Sequence, residues 1–324
     1  MKYVGLHTQQ VRNNFRSTLL LCLFPCLVIV LTFIFSVLLT YFTADYYREE
    51  VDIWGRSLLM VQHLAPFILG GVVVWFLIAY FANTSIIQAA TGTRPLERKE
   101  NKRVYNLVEN LCMAQGMTMP KINVIEDDSL NAFASGINEK TYTVSLSRGI
   151  INKLDDEELE GVIAHELSHI RNRDVRLLIV SIVFVGIFAM LTQVAVNALR
   201  FAPLRSRNND RNGGGAIVII LIALVVAAIG FFFATLMRFA ISRNREYMAD
   251  AGAAEMTRKP LALASALQKI SQDPDIEAVK RDDVAQLFIE HPRSHDKAQF
   301  LSGISGLFAT HPPIKKRIAV LEQF

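Results

Sequence analysis

Residues 165–169 of the chain read His-Glu-Leu-Ser-His, two histidines four positions apart with a glutamate after the first. Residues four apart lie on one face of a helix, so His165 and His169 can both reach a single metal ion. Glu166 lies one step around the same helix, where its carboxylate can hold a water beside that ion without binding the ion itself. Two imidazoles and a neighbouring carboxylate are what a zinc hydrolase requires.

The five-residue pattern by itself leaves two interpretations open. A chain of this length contains it by chance on the order of 1% of the time. Two surface histidines on an amphipathic helix would give the same letters. A third metal ligand has to decide between these interpretations, because zinc in a hydrolase has three protein ligands and one open position.

Glu246 is the best candidate for the third ligand. The apolar stretch that separates it from the motif begins just after His169 and ends just before Glu246. If this stretch enters and leaves a membrane on one face, it brings Glu246 back to the histidines. Asp250 lies one helical turn further on, where it can accept the second ring N–H of a ligating histidine. The alternative is a solvated helix face on which both acids pair with Arg243 and Arg245.

The residues around the motif predict a helix. Asp155 and Asp156 lie where acidic side chains stabilise a helix start. The apolar residues behind them recur at helical spacing: Leu159, Val162, Ile163, Leu167 and Ile170. The histidines are therefore expected on a rigid element.

A second helix and a small mixed sheet are predicted before the motif. Residues 97–117 have an amphipathic helical pattern, and Gly116 is a plausible helix stop. Three strand-like stretches follow at residues 121–126, 130–136 and 141–146. The soluble part is therefore expected to be mainly α with a small β-sheet.

The composition is typical of a membrane protein. Hydrophobic residues make up 52% of the chain, and the mean hydropathy is +0.30, which is too high for an ordinary soluble domain. Four runs are long and apolar enough to span a bilayer: residues 17–42, 61–82, 177–199 and 216–237. We therefore predict a membrane anchor with two spans at residues 1–90. Residues 91–324 are predicted to form a domain that carries the candidate zinc site and is interrupted by a transmembrane hairpin.

The charges beside these runs predict the orientation. Three basic residues precede the first run, two lie in the following loop, and five follow the second run. Because Lys and Arg favour the cytosolic side, the active site is expected to face the cytosol from a cell membrane, the inner membrane of a bacterium. The loop between the third and fourth runs carries four arginines, which fits an external loop poorly. A re-entrant or partly inserted hairpin therefore remains open.

Charge and cysteine content exclude several other classes. The net charge is only +4, and the basic residues cluster beside apolar runs, so no nucleic-acid partner is expected. The three cysteines Cys22, Cys26 and Cys112 form no C-x-x-C pair, which argues against a disulfide framework and a thiolate zinc site. The lipid bilayer is therefore an expected partner.

Several separate motifs together resemble a known family. They include Gly-Val-Ile-Ala-His-Glu-Leu-Ser-His at 161–169, Asp174, and Ser-Arg with Arg-Glu-Tyr and Ala-Asp within 242–250. Further likeness lies at residues 131–136, 147–149 and 310–313 and at Arg317-Ile318. This combination resembles the HtpX-like membrane metallopeptidases and, more distantly, the prenyl-protein (CAAX) endopeptidases. The resemblance covers roughly residues 95–324, and the predicted layout of four spans agrees with it.

The resemblance implies one zinc ion per chain with His165, His169 and Glu246 as its ligands. It implies Glu166 as the general base and acid, and Asp250 as the residue that orients a ligating histidine. The implied function is a membrane-anchored zinc endopeptidase that acts in quality control of misfolded membrane proteins.

Two further roles come from the same resemblance. An edge strand that aligns an extended peptide would consist of Asn131, Ala132, Phe133 and Ala134, and an ordinary core strand is the alternative. His311 would donate to the oxyanion of the tetrahedral intermediate, or it would cap a terminal helix at 314–324. His291 and His295 are expected on a variable surface loop.

Three other functions are alternatives to this one. A CAAX prenyl-protein-type endopeptidase would be expected to have more than four spans. Intramembrane cleavage is disfavoured because charged residues flank the motif helix on both sides, which places it outside the hydrocarbon. A non-enzymatic membrane scaffold with a structural zinc would hold the metal with four protein ligands.

Overall fold

The computed structural model describes residues 6–47, 52–201, 220–232, 244–274, 276, 287–289 and 312–324. Within these ranges the chain is mainly helical with one small mixed sheet, which confirms the predicted fold class at that level. Two units are distinguished. Unit 1 contains residues 1–17, 80–179 and 239–324, and unit 2 contains residues 18–79 and 180–238.

The described helices are α1 Leu6–Tyr47, α2 Ile53–Thr91, α3 Lys102–Gln115, α4 Arg148–Lys153, α5 Asp156–Arg171, α6 Asp174–Phe201, α7 Ile220–Phe232, α8 Asn244–Thr257, α9 Pro260–Ile270 and α10 Ile314–Leu321. The strands are β1 Thr93–Pro95, β2 Lys121–Ile125, β3 Ala132–Ser135 and β4 Thr143–Ser147.

Among the described residues, two helices are long and apolar enough to cross a membrane. The stretches that meet this criterion are Val11–Phe42 on α1 and Ile53–Ile78 on α2, and both overlap the predicted spans. The two later predicted spans fall on α6 and α7, and the residues between these helices lie outside the described ranges. The layout of four spans therefore stays a prediction.

The sheet has the order β1-β2-β4-β3 and lies in unit 1. Strands β2 and β4 are parallel, with Val124 opposite Leu146, and the outer strands pair antiparallel with them. The inner strands are buried throughout except for Lys121 at the start of β2. Strands β2, β3 and β4 were predicted from the sequence. Strand β1 was not, because it has only three residues and ends in Pro95, which is tolerated only at a sheet edge.

Helix α5 carries the His-Glu-x-x-His motif through the middle of unit 1. It begins with a capping box, in which Asp155 accepts from the Glu158 amide and Glu158 accepts from the Asp155 amide. Ten of its residues after the first turn are buried, from Leu159 to Ile170. Gly161 allows α9 to approach, because a Cβ there would lie 3.2 Å from the Leu263 Cα.

Candidate metal centre

Two helices bring the three predicted metal ligands together. His165 and His169 lie on α5 and Glu246 lies on α8, and one ligand atom from each lies within 4.8 Å of the others. The two Nε2 atoms are 3.1 Å apart, and each lies 3.7 Å from a Glu246 carboxylate oxygen. Ligands at about 2.0–2.1 Å in a tetrahedral zinc site lie about 3.3 Å from one another. The spacing of these side chains therefore fits one zinc ion.

Behind His165 lies a buried ion pair. The Nδ1 atom of His165 is 2.9 Å from Oδ1 of Asp250. Arg317 from α10 donates to both oxygens of this carboxylate, from Nε at 2.9 Å and from Nη2 at 2.7 Å. Burial alone would raise the pKa of Asp250, but the charge of Arg317 and the hydrogen bond from His165 outweigh it and lower that pKa to about 2. Asp250 is therefore a permanent anion behind His165.

Behind His169 lies a different carboxylate. Its Nδ1 atom is 3.1 Å from Oδ2 of Asp174, the first residue of α6. Burial alone would lower the pKa of His169, but Glu246 and Asp174 outweigh it and raise that pKa from 6.5 to about 10. A metal ion that binds Nε2 therefore has to displace a proton.

Glu166 borders the same cleft as His169 and Glu246. Both of its carboxylate oxygens are buried, and neither has a hydrogen-bond partner among the described residues. Burial raises the pKa of this carboxyl group. Because a buried carboxylate without a partner is costly, the arrangement fits a water or substrate that completes its hydrogen bonding.

The ligands open onto a small cleft within unit 1. Its walls include Ala134, Glu166, His169, Arg245 and Phe288. The Nε and Nη1 atoms of Arg245 are buried and have no hydrogen-bond partner among the described residues. From the sequence, Arg245 was considered as an ion-pair partner on a solvated face and as part of the family motif, with no role at the metal site. The structure instead places its guanidinium beside the metal ligands, with Nη2 3.7 Å from Glu246.

The predicted substrate strand borders this cleft, but its outer edge pairs with the chain itself. The amide of Ile289 donates to the carbonyl of Ala132 at 2.8 Å, and Phe133 forms an antiparallel bridge with Phe288. Asn131 is fully buried, and its side-chain amide donates to the Pro274 carbonyl at 2.8 Å. Its side chain therefore holds the strand in place, whereas Ala134 reaches the cleft.

The remaining predicted histidines lie outside the described residues: His291, His295 and His311. Their roles stay predictions. The terminal helix that His311 was expected to cap is described, and it runs over Ile314–Leu321.

Sequence analysis gave no role to two residues that hold the site. Asp174 and Arg317 entered it only as part of the family motifs. Asp174 follows His169 by five positions, and no helix rule links the two because the chain turns at Arg173, whose φ is +61°. Arg317 is fully buried, and a buried arginine on a polar helix has no local sequence signal. A role for both residues could have been inferred from the family resemblance, because they are charged residues within the motifs that carry it.

The geometry defines a class of protein. Two histidines from one helix, a glutamate from a second helix and a buried glutamate beside them are the arrangement that a zinc metallopeptidase requires.

Comparisons with known proteins agree with this class. The model of peptidase family M48 matches residues 98–324. A protease HtpX homolog of Bacteroides fragilis is 69% identical over 324 residues, with all of both chains covered. A protease HtpX homolog of Listeria innocua is 43% identical over 260 residues, which cover 77% of this chain and 83% of the relative. The chain therefore belongs to peptidase family M48, among its HtpX-like members, and is a membrane zinc metallopeptidase.

One solved structure is also similar. The crystal structure of S. mikatae Ste24p has 18% sequence identity and a TM-score of 0.43, and the match covers 97% of this chain. The chain spans 66% of the length of that protein.

Proposed function

We propose that the protein hydrolyses internal peptide bonds of protein substrates with one zinc ion per chain. In this proposal His165, His169 and Glu246 bind the zinc, and Glu166 is the general base and acid. The observation that carries it is the convergence of three ligand side chains within 4.8 Å of one another, beside a buried carboxylate that has no hydrogen-bond partner among the described residues.

The side chains divide the chemistry among them. When bound, zinc acts as a Lewis acid that polarises the scissile carbonyl and acidifies water. Glu166 accepts a proton from the attacking water and passes it to the leaving amine. The pKa that burial raises makes Glu166 a stronger base than an exposed carboxylate. Asp250 and Asp174 accept the Nδ1–H protons of the two histidines and keep both Nε2 atoms directed into the site.

An extended peptide is proposed to align along β3. Strand addition recognises backbone with little demand on side chains, which suits a protease for many unfolded substrates. The support is that Ala134 and Glu166 border one cleft. The edge of β3 also already pairs with the chain itself at Phe288 and Ile289. A peptide on this edge therefore has to bind beside that segment or displace it.

The proposed setting is a cell membrane, the inner membrane of a bacterium, crossed four times with the active site on the cytosolic side. The support is the two apolar helices and the charge bias beside them. Action on misfolded membrane proteins rests on the family resemblance, as does an oxyanion contact from His311.

The test is cleavage of a denatured membrane protein by the full chain in detergent micelles. We expect Glu166→Gln to lower kcat by about 10²–10⁴-fold and to keep one zinc per chain. The matched control is Glu157→Gln, the same change at an exposed position of α5, which should cleave normally. Cleavage by Glu166→Gln at the wild-type rate would overturn the assignment.

The same experiment separates an enzyme from a scaffold. If the wild-type chain holds one zinc ion but cleaves nothing with or without a chelator, the zinc is structural. Cleavage that stops when a chelator removes the zinc, and returns when zinc is added back, supports the peptidase.

A further inference from the structure

We propose that Asn13, near the start of α1, is a positioning residue of the metal centre. Its side chain is buried with 5% exposure. The Nδ2 atom donates to Oδ1 of Asp174 at 2.6 Å and to the carbonyl oxygen of Asn172 at 3.0 Å. These residues belong to the same unit of the structure. Asn13 lies outside residues 98–324, where the family model matches.

The contact continues to a metal ligand. Asp174 is 1% exposed, and its other oxygen, Oδ2, is 3.1 Å from Nδ1 of His169. A carboxylate rotates easily about its last torsion and offers about four acceptor positions. The bond from Asn13 to Oδ1 removes this freedom and directs Oδ2 at the imidazole. Asn13 thereby acts on His169 through Asp174.

The second bond from Asn13 holds the turn between α5 and α6. Asn172 and Asp174 flank Arg173, whose φ of +61° is a conformation that few non-glycine residues adopt. The two N–H groups of the Asn13 amide bond one acceptor on each side of this residue. The amide therefore closes the turn that sets Asp174 against His169.

The chemistry of the amide explains why an asparagine fits here. Its Nδ2 atom carries two donors and no charge. An aspartate of the same shape would place a second carboxylate against Asp174. A leucine of similar volume would leave the Asp174 oxygen and the Asn172 carbonyl without this donor. Both substitutions should therefore weaken the orientation of the His169 ring without changing any of the predicted metal ligands.

The experiment measures zinc affinity of the full chain in detergent micelles by competition with a chelator. We expect Asn13→Leu and Asn13→Asp to weaken zinc binding by about 10–100-fold, the usual effect of removing an outer hydrogen bond to a ligand. They should lower kcat with little change in KM. The matched control is Asn14→Leu, because the buried Oδ1 of Asn14 has no hydrogen-bond partner in the part of the chain that the structure describes.

A double-mutant cycle separates positioning through Asp174 from a general structural role. If Asn13 acts through Asp174, zinc binding of Asn13→Leu/Asp174→Ala should equal that of Asp174→Ala alone. If the losses of zinc affinity in the two single variants multiply in the double variant, the proposal is overturned. It is also overturned if the zinc affinity of Asn13→Leu lies within twofold of that of Asn14→Leu. Asn13→Ser, which keeps one small donor, replaces Asn13→Leu in the cycle if the leucine variant does not fold.

The inference rests on the proposed zinc ligands, and its failure can be told apart from theirs. If the wild-type chain binds no zinc, the proposed function fails. If the wild-type and Asn13→Leu chains bind zinc equally well, only the role of Asn13 fails.

Discussion

His165 and His169 stand one helical turn apart, and each has a carboxylate behind its Nδ1 atom, but the two carboxylates are held in different ways. Behind His165, the charged Arg317 clamps Asp250 in a fully buried pair. Behind His169, Asp174 accepts from the neutral amide of Asn13. The His169 side chain is also 12% exposed, whereas that of His165 is fully buried.

This difference indicates that the residues behind His165 and those behind His169 contribute to different properties of the protein. On the His165 side, the positive charge of Arg317 compensates the burial of Asp250 and lowers its pKa to about 2. On the His169 side, no Lys or Arg pairs with Asp174 among the described residues, and the carboxylates of Glu246 and Asp174 raise the pKa of His169 to about 10. We therefore expect the His165 side to govern folding. The His169 side should govern metal affinity and its dependence on pH.

The largest effect is expected from breaking the buried ion pair. Arg317→Met leaves the carboxylate of Asp250 buried without its cation, which costs about 3–5 kcal/mol. Thermal or denaturant unfolding of the chelator-treated chain measures this loss. The control is Arg98→Met, which removes an exposed ion pair with Glu109 and should change stability by less than about 1 kcal/mol. Equal effects of the two substitutions would refute a stabilising role for the buried pair.

Removal of the carboxylate on the other side should act on the metal. We expect Asp174→Ala to weaken zinc binding by about 10–100-fold, because His169 loses the acceptor that orients its ring. Its unfolding free energy without zinc should fall less than that of Arg317→Met, since no buried cation is left unpaired. Chelator competition and unfolding of the same samples give both numbers. A larger loss of stability than in Arg317→Met would contradict the division between the two sides.

The pH dependence of zinc binding should come from the His169 side. Below the pKa of about 10 the imidazole holds a proton that zinc must displace. Zinc affinity should therefore fall by about tenfold for each unit that the pH is lowered between 8.5 and 6.5. Asp250, with a pKa of about 2, stays ionised over this range. Competition titrations at several pH values measure the slope, and a flat profile would exclude a protonated His169.

The same pKa predicts that the folding stability of the chain without zinc falls as the pH rises, whereas zinc affinity increases. The pKa of His169 is raised above its unfolded value of 6.5, so the stability that it contributes is fully present below pH 6.5. This stability is lost as the pH rises toward 10. Unfolding of the chelator-treated chain at pH 6 and pH 9 tests this trend, with Asp174→Ala expected to weaken it.

The smallest effect is expected from a change that acts on both histidines alike. Asp155→Ala removes the capping box at the start of α5 and should lower stability by about 1 kcal/mol. Because the cap lies nearly three helical turns before the first histidine, zinc affinity of the folded chain should not change. A weakening of zinc binding comparable to that in Asp174→Ala would show that the ligands depend on the whole helix and not on their separate partners.

The parts of the fold that follow from local pattern were predictable. The cap at Asp155, the helical spacing on α5 and the stop at Gly116 are all encoded within a few residues. The ends of strands β2, β3 and β4 agree with those of the predicted stretches to within one or two residues. Strand β1 was missed because three residues that end in proline show no alternation of apolar and polar side chains.

The site was predictable where spacing or chain geometry constrained it. His165 and His169 follow from the helical period. Glu246 followed from the return of the apolar stretch, and the structure does bring it to the histidines. The pairing of β3 with residues 287–289 was not foreseen, because no pattern shows which distant segment completes a sheet edge.

The sequence by itself determined that one helix presents two histidines and a glutamate to a metal, and that apolar helices accompany this site. Only the tertiary structure decided which groups stand behind the two histidines. Asp250 and Arg317 are 67 residues apart, and Asn13 and Asp174 are 161 apart. A helix period relates neighbours within a few turns, whereas these contacts exist only because packing buries the four side chains together, where their polar atoms need hydrogen-bond partners within the protein.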